Sequence, residues 1–335
     1  MSNIQIEYTE VPRYAPGSAE GIAHLEEQGF VVYANALSHD QAEQALSLLW
    51  DYLEGLGTGI DRDDVATWDD DRWPTAVHGG ILPSYGIGHS AAQWFIRDVQ
   101  AVQDCFAAVW ETDDLLVSFD GVSLWRPWHV NPAWRTNLGQ SWLHIDQHPI
   151  GRPGRHCVQG LVNLLPTSPE AGGNVVIPGS HRRFADIPEQ YPERLARIHP
   201  TIDHFRFPND DPLLADTQPI IAHMEPGDLM LWDSRTIHCS SHGSGPIKAR
   251  LVRAASLICM MPRAKSNPEV IARRKAAVAD MTSTTHWSDR FIDADQFPQI
   301  TAAPNHDRYQ IPAPPMLNPR QLELVGWTAA ELAGA

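Results

Sequence analysis

The front of the chain has apolar residues at helical spacing. One face of the segment that follows residue 38 is apolar, at Ala42, Ala45, Leu46, Leu49 and Leu53. This spacing predicts an amphipathic helix that packs against a sheet. Ser38 and Gln41 match a capping box at its start, and two glycines predict its end near Leu56. A second helical stretch is predicted near residues 91–110.

The pattern changes to short apolar runs between residue 114 and about residue 262. Proline and glycine turns separate these runs, which lie at 122–125, 157–165, 174–177, 219–223, 228–232, 236–240 and 250–261. Such runs predict β-strands, and Pro226-Gly227 predicts a type II turn between two of them. Many short strands behind a helical front predict a mostly β fold with flanking helices (α+β), in which a double-sheet jelly roll carries an N-terminal helical layer.

The chain is predicted to be one domain over residues 1–335, because no linker divides it. Its parts are an N-terminal arm, a helical front end with a cover loop, the jelly-roll core and a C-terminal arm or lid, at 1–20, 21–113, 114–262 and 263–335. The cover loop, residues 57–90, is rich in Asp, Gly, Trp and Pro. Long loops of this kind often cover a functional site.

Composition excludes several classes of function. The chain has 25 Lys plus Arg against 41 Asp plus Glu, a formal charge of -16, which argues against a nucleic-acid partner. No apolar run approaches the roughly 20 residues of a membrane span, and the N-terminus lacks a signal-peptide pattern, so a soluble, cytoplasmic protein without a membrane partner is expected. Four scattered cysteines indicate neither a zinc knuckle nor a disulfide framework. The oligomeric state is not indicated.

The clearest chemical signal is the triplet His144-Ile145-Asp146, with His238 far behind it. On a strand, His144 and Asp146 point the same way, and a distant strand can add His238. Two imidazoles and one carboxylate on one face of a metal leave other positions open, as in non-heme ferrous centres. The same ligands also bind zinc with an open water position, so a zinc hydrolase is an alternative.

Several longer motifs surround these residues in a fixed order. They are Leu25–Tyr33, Gln140–Pro149, Gly172–His181 and Pro226–His238. Together they resemble the phytanoyl-CoA dioxygenase (PhyH-like) family of iron and 2-oxoglutarate oxygenases, over roughly residues 20–262. The resemblance implies the family's cupin-like double-stranded β-helix. It also implies that His181, in a Pro-Gly-Ser-His turn, is a structural residue.

The resemblance assigns His144, Asp146 and His238 as the Fe(2+) ligands and hence as the catalytic residues. Related halogenases have a small residue in place of Asp146, so a carboxylate here indicates hydroxylation, desaturation or ring chemistry. With O2, the cosubstrate 2-oxoglutarate would be converted to succinate and carbon dioxide while a small organic substrate is oxidised. No motif identifies that substrate.

The far carboxylate of 2-oxoglutarate needs a charged donor. Arg250 and Arg253 both follow His238, and their spacing of three sends them to opposite faces of a regular strand. Periodicity does not choose between them, whereas the family's register favours Arg253. Ser240, two residues after His238, resembles a hydroxyl that assists the same carboxylate, although a surface serine fits the pattern nearly as well.

Residues ahead of the His-x-Asp strand fall where the family builds its cosubstrate and substrate walls. Arg126 and Gln140 are therefore further candidates for the cosubstrate site. The sequence thus predicts an iron- and 2-oxoglutarate-dependent dioxygenase that acts on a small metabolite. A zinc hydrolase and a non-catalytic cupin-like binding protein remain the alternatives.

Overall fold

Two β-sheets dominate the computed structural model, which describes residues 5–78, 80–135, 142–245, 247, 250–303 and 308–334. The strands are β1 Glu7–Thr9, β2 Arg13–Tyr14, β3 Phe30–Tyr33, β4 Ile81–Leu82, β5 Leu115–Val117, β6 Val122–Trp125, β7 His144–Asp146, β8 Val158–Asn163, β9 Gly172–Val176, β10 His204–Arg206, β11 Ile220–Ala222, β12 Leu229–Asp233, β13 His238–His242 and β14 Arg253–Pro262. One sheet has the order β1-β11-β9-β13-β7-β10 and the other β2-β3-β12-β8-β14-β6-β4, with β5 paired to β14.

The two sheets pack face to face as a jelly roll. Buried apolar side chains from both sheets form one cluster between them: Phe30, Val32, Leu161, Val176, Ile220, Ala222, Met230, Trp232 and Ala255. The predicted strands are confirmed with small shifts at their ends. The predicted turn is confirmed as well, since Gly227 has a φ of 91° and the Asp228 N–H donates to the Glu225 carbonyl.

The sheets also recruit strands from outside the segment predicted as the core. β1 pairs in parallel with β11, and β2 pairs in parallel with β3, so residues predicted as an N-terminal arm form edges of both sheets. Strands of two or three residues are too short to show an alternating pattern, which explains why the sequence did not predict them. β10 was missed in the same way.

Helices flank the sheets, as predicted. Over the described residues they are α1 Ala19–Gln28, α2 His39–Gly55, α3 Ala91–Arg97, α4 Gln100–Trp110, α5 Ile187–Gln190, α6 Pro192–Leu195, α7 Pro268–Asp280, α8 Pro298–Thr301, α9 Pro319–Val325 and α10 Ala329–Ala333. The capping box at Ser38 and Gln41 is confirmed. In the described part of the chain, no helix combines the length and the apolar character that crossing a membrane requires.

The junction of α1 and β3 requires a glycine. Gly29 has a φ of 78°, which favours glycine, and a Cβ there would lie 2.4 Å from His181 Nδ1 and 2.5 Å from Thr236 Oγ1. His181 Nε2 lies 3.0 Å from the Glu26 carbonyl. The structural role predicted for His181 is therefore confirmed: its turn packs the first helix against the residues that precede His238.

The C-terminal residues are docked on the core by a buried cation. Arg274 of α7 is fully buried and donates to the carbonyls of Val117, Ser288, Leu324 and Val325. Each hydrogen bond offsets part of the cost of burying the guanidinium. Through these contacts α7 and α9 are joined to β5 and to the segment at 282–297, here called the cover segment.

Candidate metal centre

Two neighbouring strands bring three potential ligands together. His144 and His238 are directly opposite each other in the antiparallel pair of β7 and β13. Asp146 is two residues beyond His144, and its carboxylate lies 3.5 Å from His144 Nε2 and 3.4 Å from His238 Nε2. All three ligand atoms lie within 4.8 Å of one another. A metal ion at this point could bind two nitrogens and one oxygen on one face.

Backbone carbonyls fix the orientation of both imidazoles. His144 Nδ1 lies 2.7 Å from the Trp142 carbonyl, and His238 Nδ1 lies 2.9 Å from the Thr236 carbonyl. A carbonyl can only accept, so each Nδ1 must donate and each Nε2 keeps its lone pair for a metal. In both cases the carbonyl belongs to the residue two positions earlier.

The charge state of the cluster also suits a cation. Burial lowers the pKa of His144 to about 4, so its imidazole is neutral at neutral pH. Burial pushes the pKa of Asp146 upward, but the imidazoles of His144, His204 and His238 outweigh that effect and hold it well below its ordinary value. A neutral histidine and an ionised aspartate are the protonation states that bind metal.

Two further side chains contact Asp146, and the sequence predicted neither. Gln159 Nε2 donates to one carboxylate oxygen at 3.2 Å, and His204 Nδ1 lies 3.4 Å from the other. His204 comes from β10, whose register sets it opposite Asp146. The alternation of His204 and Arg206 with two buried phenylalanines was the available signal for this strand.

The three potential ligand residues line a cavity of about 540 Å³ that also contains Arg253. Arg253 is 3 % exposed, and its Nη1 donates to Ser240 Oγ at 3.2 Å. Burial lowers its pKa to about 10, so it stays charged at neutral pH. Its Nε is buried and has no hydrogen-bond partner among the described residues. A buried cation with an unused donor fits a carboxylate ligand.

The other predicted cosubstrate residues lie elsewhere. Arg250 is exposed and precedes β14 instead of lying within it. Arg126 lines a different cavity, where it donates to the Trp68 carbonyl and to Asp70. It follows Trp125, which faces Arg253, and successive residues of an extended chain alternate in direction. Gln140 lies outside the described residues.

Two irregular segments close the cavity. His78, in the predicted cover loop, stacks on Trp142 with ring centroids 4.9 Å apart. The cover segment contributes Trp287, whose ring centroid lies 5.0 Å from the guanidinium carbon of Arg152 and 4.3 Å from that of Arg290. Contacts of this kind add to the burial of the ring itself. The cover segment is held against the jelly roll by the contact of Trp287 with Arg152 and by the ion pair of Arg290 with Asp203.

Comparison with known proteins gives the family. The sequence model of "Phytanoyl-CoA dioxygenase (PhyH)" matches residues 25–249, more than half of the 335-residue chain. The chain belongs to the phytanoyl-CoA dioxygenase family. It is therefore an enzyme of the class of non-heme iron, 2-oxoglutarate-dependent oxygenases. Arg253 and the cover segment lie beyond the matched residues.

Individual relatives cover most of the chain. "Ava biosynthesis cluster protein O" of Aspergillus versicolor is 30% identical over 298 residues, which span 87% of this chain and 92% of that protein. A "Putative phytanoyl-CoA dioxygenase" of Dictyostelium discoideum is 25% identical, over 75% and 77%. Among solved structures, AviO1 from Streptomyces viridochromogenes Tue57 is 15% identical over 73% of this chain and 95% of its own, with a TM-score of 0.46.

Proposed function

We propose that this enzyme oxidises a small organic metabolite with Fe(2+), 2-oxoglutarate and O2, and releases succinate and carbon dioxide. One observation carries the proposal: a single cavity holds both the cluster of His144, Asp146 and His238 and the buried guanidinium of Arg253 with an unused donor. A zinc hydrolase would have no need of that second site. Iron, when bound, supplies the oxidising chemistry.

The donor set fits a ferrous ion. His144 and His238 would each bind through Nε2, because each Nδ1 is already used by a carbonyl, and Asp146 would supply the carboxylate oxygen. Gln159 and His204 would hold the Asp146 carboxylate in position through its two oxygens. A carboxylate at this position supports hydroxylation, desaturation or ring chemistry instead of halogenation.

Arg253 is the residue we propose for the far carboxylate of 2-oxoglutarate. Its Nε and Nη groups offer two parallel donors, and Ser240 adds a hydroxyl already in contact with Nη1. The aromatic ring of Trp125, 4.8 Å from the guanidinium carbon, restricts the side chain and excludes water from it. Arg250, being exposed, is the less suitable residue.

The cavity favours a free metabolite over a coenzyme A thioester. Its volume of about 540 Å³ is in the range of small-molecule sites. Arg253 is the only lysine or arginine among its described lining residues, so no cations remain for a polyphosphate once 2-oxoglutarate is bound. The name of the Aspergillus versicolor relative refers to a biosynthesis cluster, which also supports a metabolite as the substrate.

The test is turnover of 2-oxoglutarate by purified protein loaded with ferrous iron. We expect slow formation of succinate and slow O2 consumption even without substrate, because open metal positions permit uncoupled oxidation. The control is His144→Ala, which removes one ligand. Succinate formation no greater than that of the control, with every metabolite tried, would contradict the proposal; hydrolysis supported by zinc without O2 would favour the hydrolase.

A further inference from the structure

A second pair of polar side chains lies in the same cavity and shares no residue with the cluster of potential metal ligands. Asp120 follows β5, His286 belongs to the cover segment, and both line the cavity. Neither residue was predicted as functional from the sequence. The lining of the cavity also includes apolar side chains, among them Ile81, Leu257, Trp287, Ile292 and Phe297. A few polar side chains set among apolar ones are the usual means by which a pocket orients its ligand.

The backbone of this region fixes Asp120 firmly. Its carbonyl accepts hydrogen bonds from Gln93 Nε2 and Arg97 Nη2. Its carboxylate accepts one from the Gly121 N–H at 2.8 Å and has no ion pair among the described residues. Burial raises the pKa of Asp120, and the nearby charges of His286 and Arg97 together with the Gly121 N–H offset only part of that effect. Part of its acceptor capacity is therefore unused.

Two further hydrogen bonds bring the cover segment, and with it His286, close to Asp120. The Thr284 N–H donates to the Phe119 carbonyl, and the Phe119 N–H donates to Thr284 Oγ1. Asp120 and His286 lie one and two residues beyond that reciprocal pair. The Nε2 atom of His286 is buried and has no hydrogen-bond partner among the described residues. Among the described contacts the two side chains form no ion pair with each other, but the charge of His286 acts to lower the pKa of Asp120, so the two groups lie near each other.

The charged side chains that line the cavity determine which kind of substrate group can bind there. Asp203, the other lining carboxylate outside the metal cluster, is already paired with Arg152 and Arg290. Arg253 is the only described lining guanidinium, and 2-oxoglutarate would occupy it. Among the described residues, the Asp120 carboxylate therefore has no cation in direct contact, although the buried guanidinium of Arg97 donates to its backbone carbonyl. A buried carboxylate is costly to leave unpaired, so a cationic ligand gains more here than a neutral or anionic one.

We propose that Asp120 and His286 form the substrate-recognition site of this enzyme and hold a protonated amine of an otherwise apolar metabolite. The carboxylate would pair with the ammonium group, and His286 Nε2 would accept a second N–H from it. The apolar side chains around the pair would contact the rest of the molecule. This inference rests on the proposed function for the location of the reacting centre, but binding alone can test it.

The experiment compares three probes of one shape and different charge: 4-phenylbutylamine, 4-phenylbutanol and 4-phenylbutanoate. Each is titrated calorimetrically into the full chain with saturating 2-oxoglutarate and with nickel in place of iron, so that no turnover occurs. We expect the amine to bind at least about tenfold more tightly than the alcohol, and the carboxylate to bind most weakly, because a desolvated charge pair is worth at least that factor.

Three variants test whether Asp120 and His286 cause the preference for the amine. Asp120→Asn keeps the shape and removes the charge, and it should bring the amine within about threefold of the alcohol. His286→Leu should weaken the amine about threefold or more, since it removes one acceptor. Asp113→Asn removes an exposed carboxylate from the segment ahead of β5 and should change nothing. This control separates the site from general attraction of cations by a chain of charge -16.

Equal binding of amine and alcohol by the unmodified chain would overturn the inference, and so would an amine preference that survives Asp120→Asn. A thermal midpoint accompanies each variant; if Asp120→Asn does not fold, the order of the three probes and the His286→Leu result decide. The two proposals fail separately. An amine preference without any succinate formation under iron would contradict only the oxygenase function, whereas succinate formation without charge preference would contradict only this site.

Discussion

The cavity has a strand wall and a cover wall, and the two are built differently. The strand wall comes from β7, β13 and β14 and carries His144, Asp146, His238, Ser240 and Arg253. The cover wall comes from Val77 and His78 of the cover loop, from Asp120 after β5 and from the cover segment, which contributes His286. In the strand wall, regular pairing sets where each polar atom lies. In the cover wall, irregular backbone and side-chain stacking do so.

This difference indicates that the two walls have different functions. Groups that must meet a metal within tenths of an ångström lie on paired strands, which hold them rigidly. Groups that only need to match the outline of a substrate lie on segments anchored by a few contacts, such as those of Trp287 with Arg152 and of Arg290 with Asp203. Substitutions in the strand wall should therefore abolish chemistry, whereas substitutions in the cover wall should change affinity or stability.

The largest effect is expected at the metal. His238→Ala removes one of the three proposed ligands and should abolish both iron binding and activity. His181→Ala, the control, removes a buried histidine that contacts the Glu26 carbonyl and not the metal cluster. It should lower the thermal midpoint and leave the iron content of the folded protein unchanged. Metal analysis of the two purified variants checks this, and equal loss of iron from both would refute the assignment.

The next effect concerns the cosubstrate end of the strand wall. Arg253→Ala should raise the apparent 2-oxoglutarate constant at least tenfold, because loss of a bidentate contact to a buried carboxylate costs roughly 2 to 5 kcal/mol. Iron binding should survive. Arg250→Ala is the matched control: its side chain is exposed, and such substitutions change stability or affinity by about 0.5 kcal/mol, or within about threefold. The reverse pattern would show that Arg250 is the cosubstrate residue.

Most of the strand wall could be predicted from the sequence, for a physical reason. The period of two along a strand aims His144 and Asp146 at one point, and it puts Ser240 on the face of His238. The same period explains why the structure does not bring Arg126 to the predicted site. Arg126 is near the site in sequence, but it follows Trp125 and points away from Arg253 into another cavity.

The cover wall could not be predicted in the same way. Asp120 and His286 are 166 residues apart in number (286 − 120), and only the hydrogen bonds between Phe119 and Thr284 bring them together. No periodicity applies to irregular segments, so nothing in the sequence indicates where their side chains point. His204 is an intermediate case: it lies on a strand, but one of three residues.

The smallest effect is expected at His78 in the cover wall. Its φ of 45° is in the left-handed region, and its ring stacks on Trp142 while one side remains exposed to solvent. His78→Ala should lower the free energy of unfolding by about 0.5 kcal/mol, the lower end for an aromatic stack. His78→Gly loses the same stack but relieves the backbone, so it should be more stable than His78→Ala by about 1 kcal/mol. Neither change should alter iron affinity by more than about twofold, since His78 is not among the proposed ligands. Denaturant unfolding and metal titration of both variants measure these differences.

If His78→Gly proves the less stable of the two variants, backbone strain does not determine stability at this position. A large loss of iron affinity in either variant would mean that the cover wall and the strand wall are not independent.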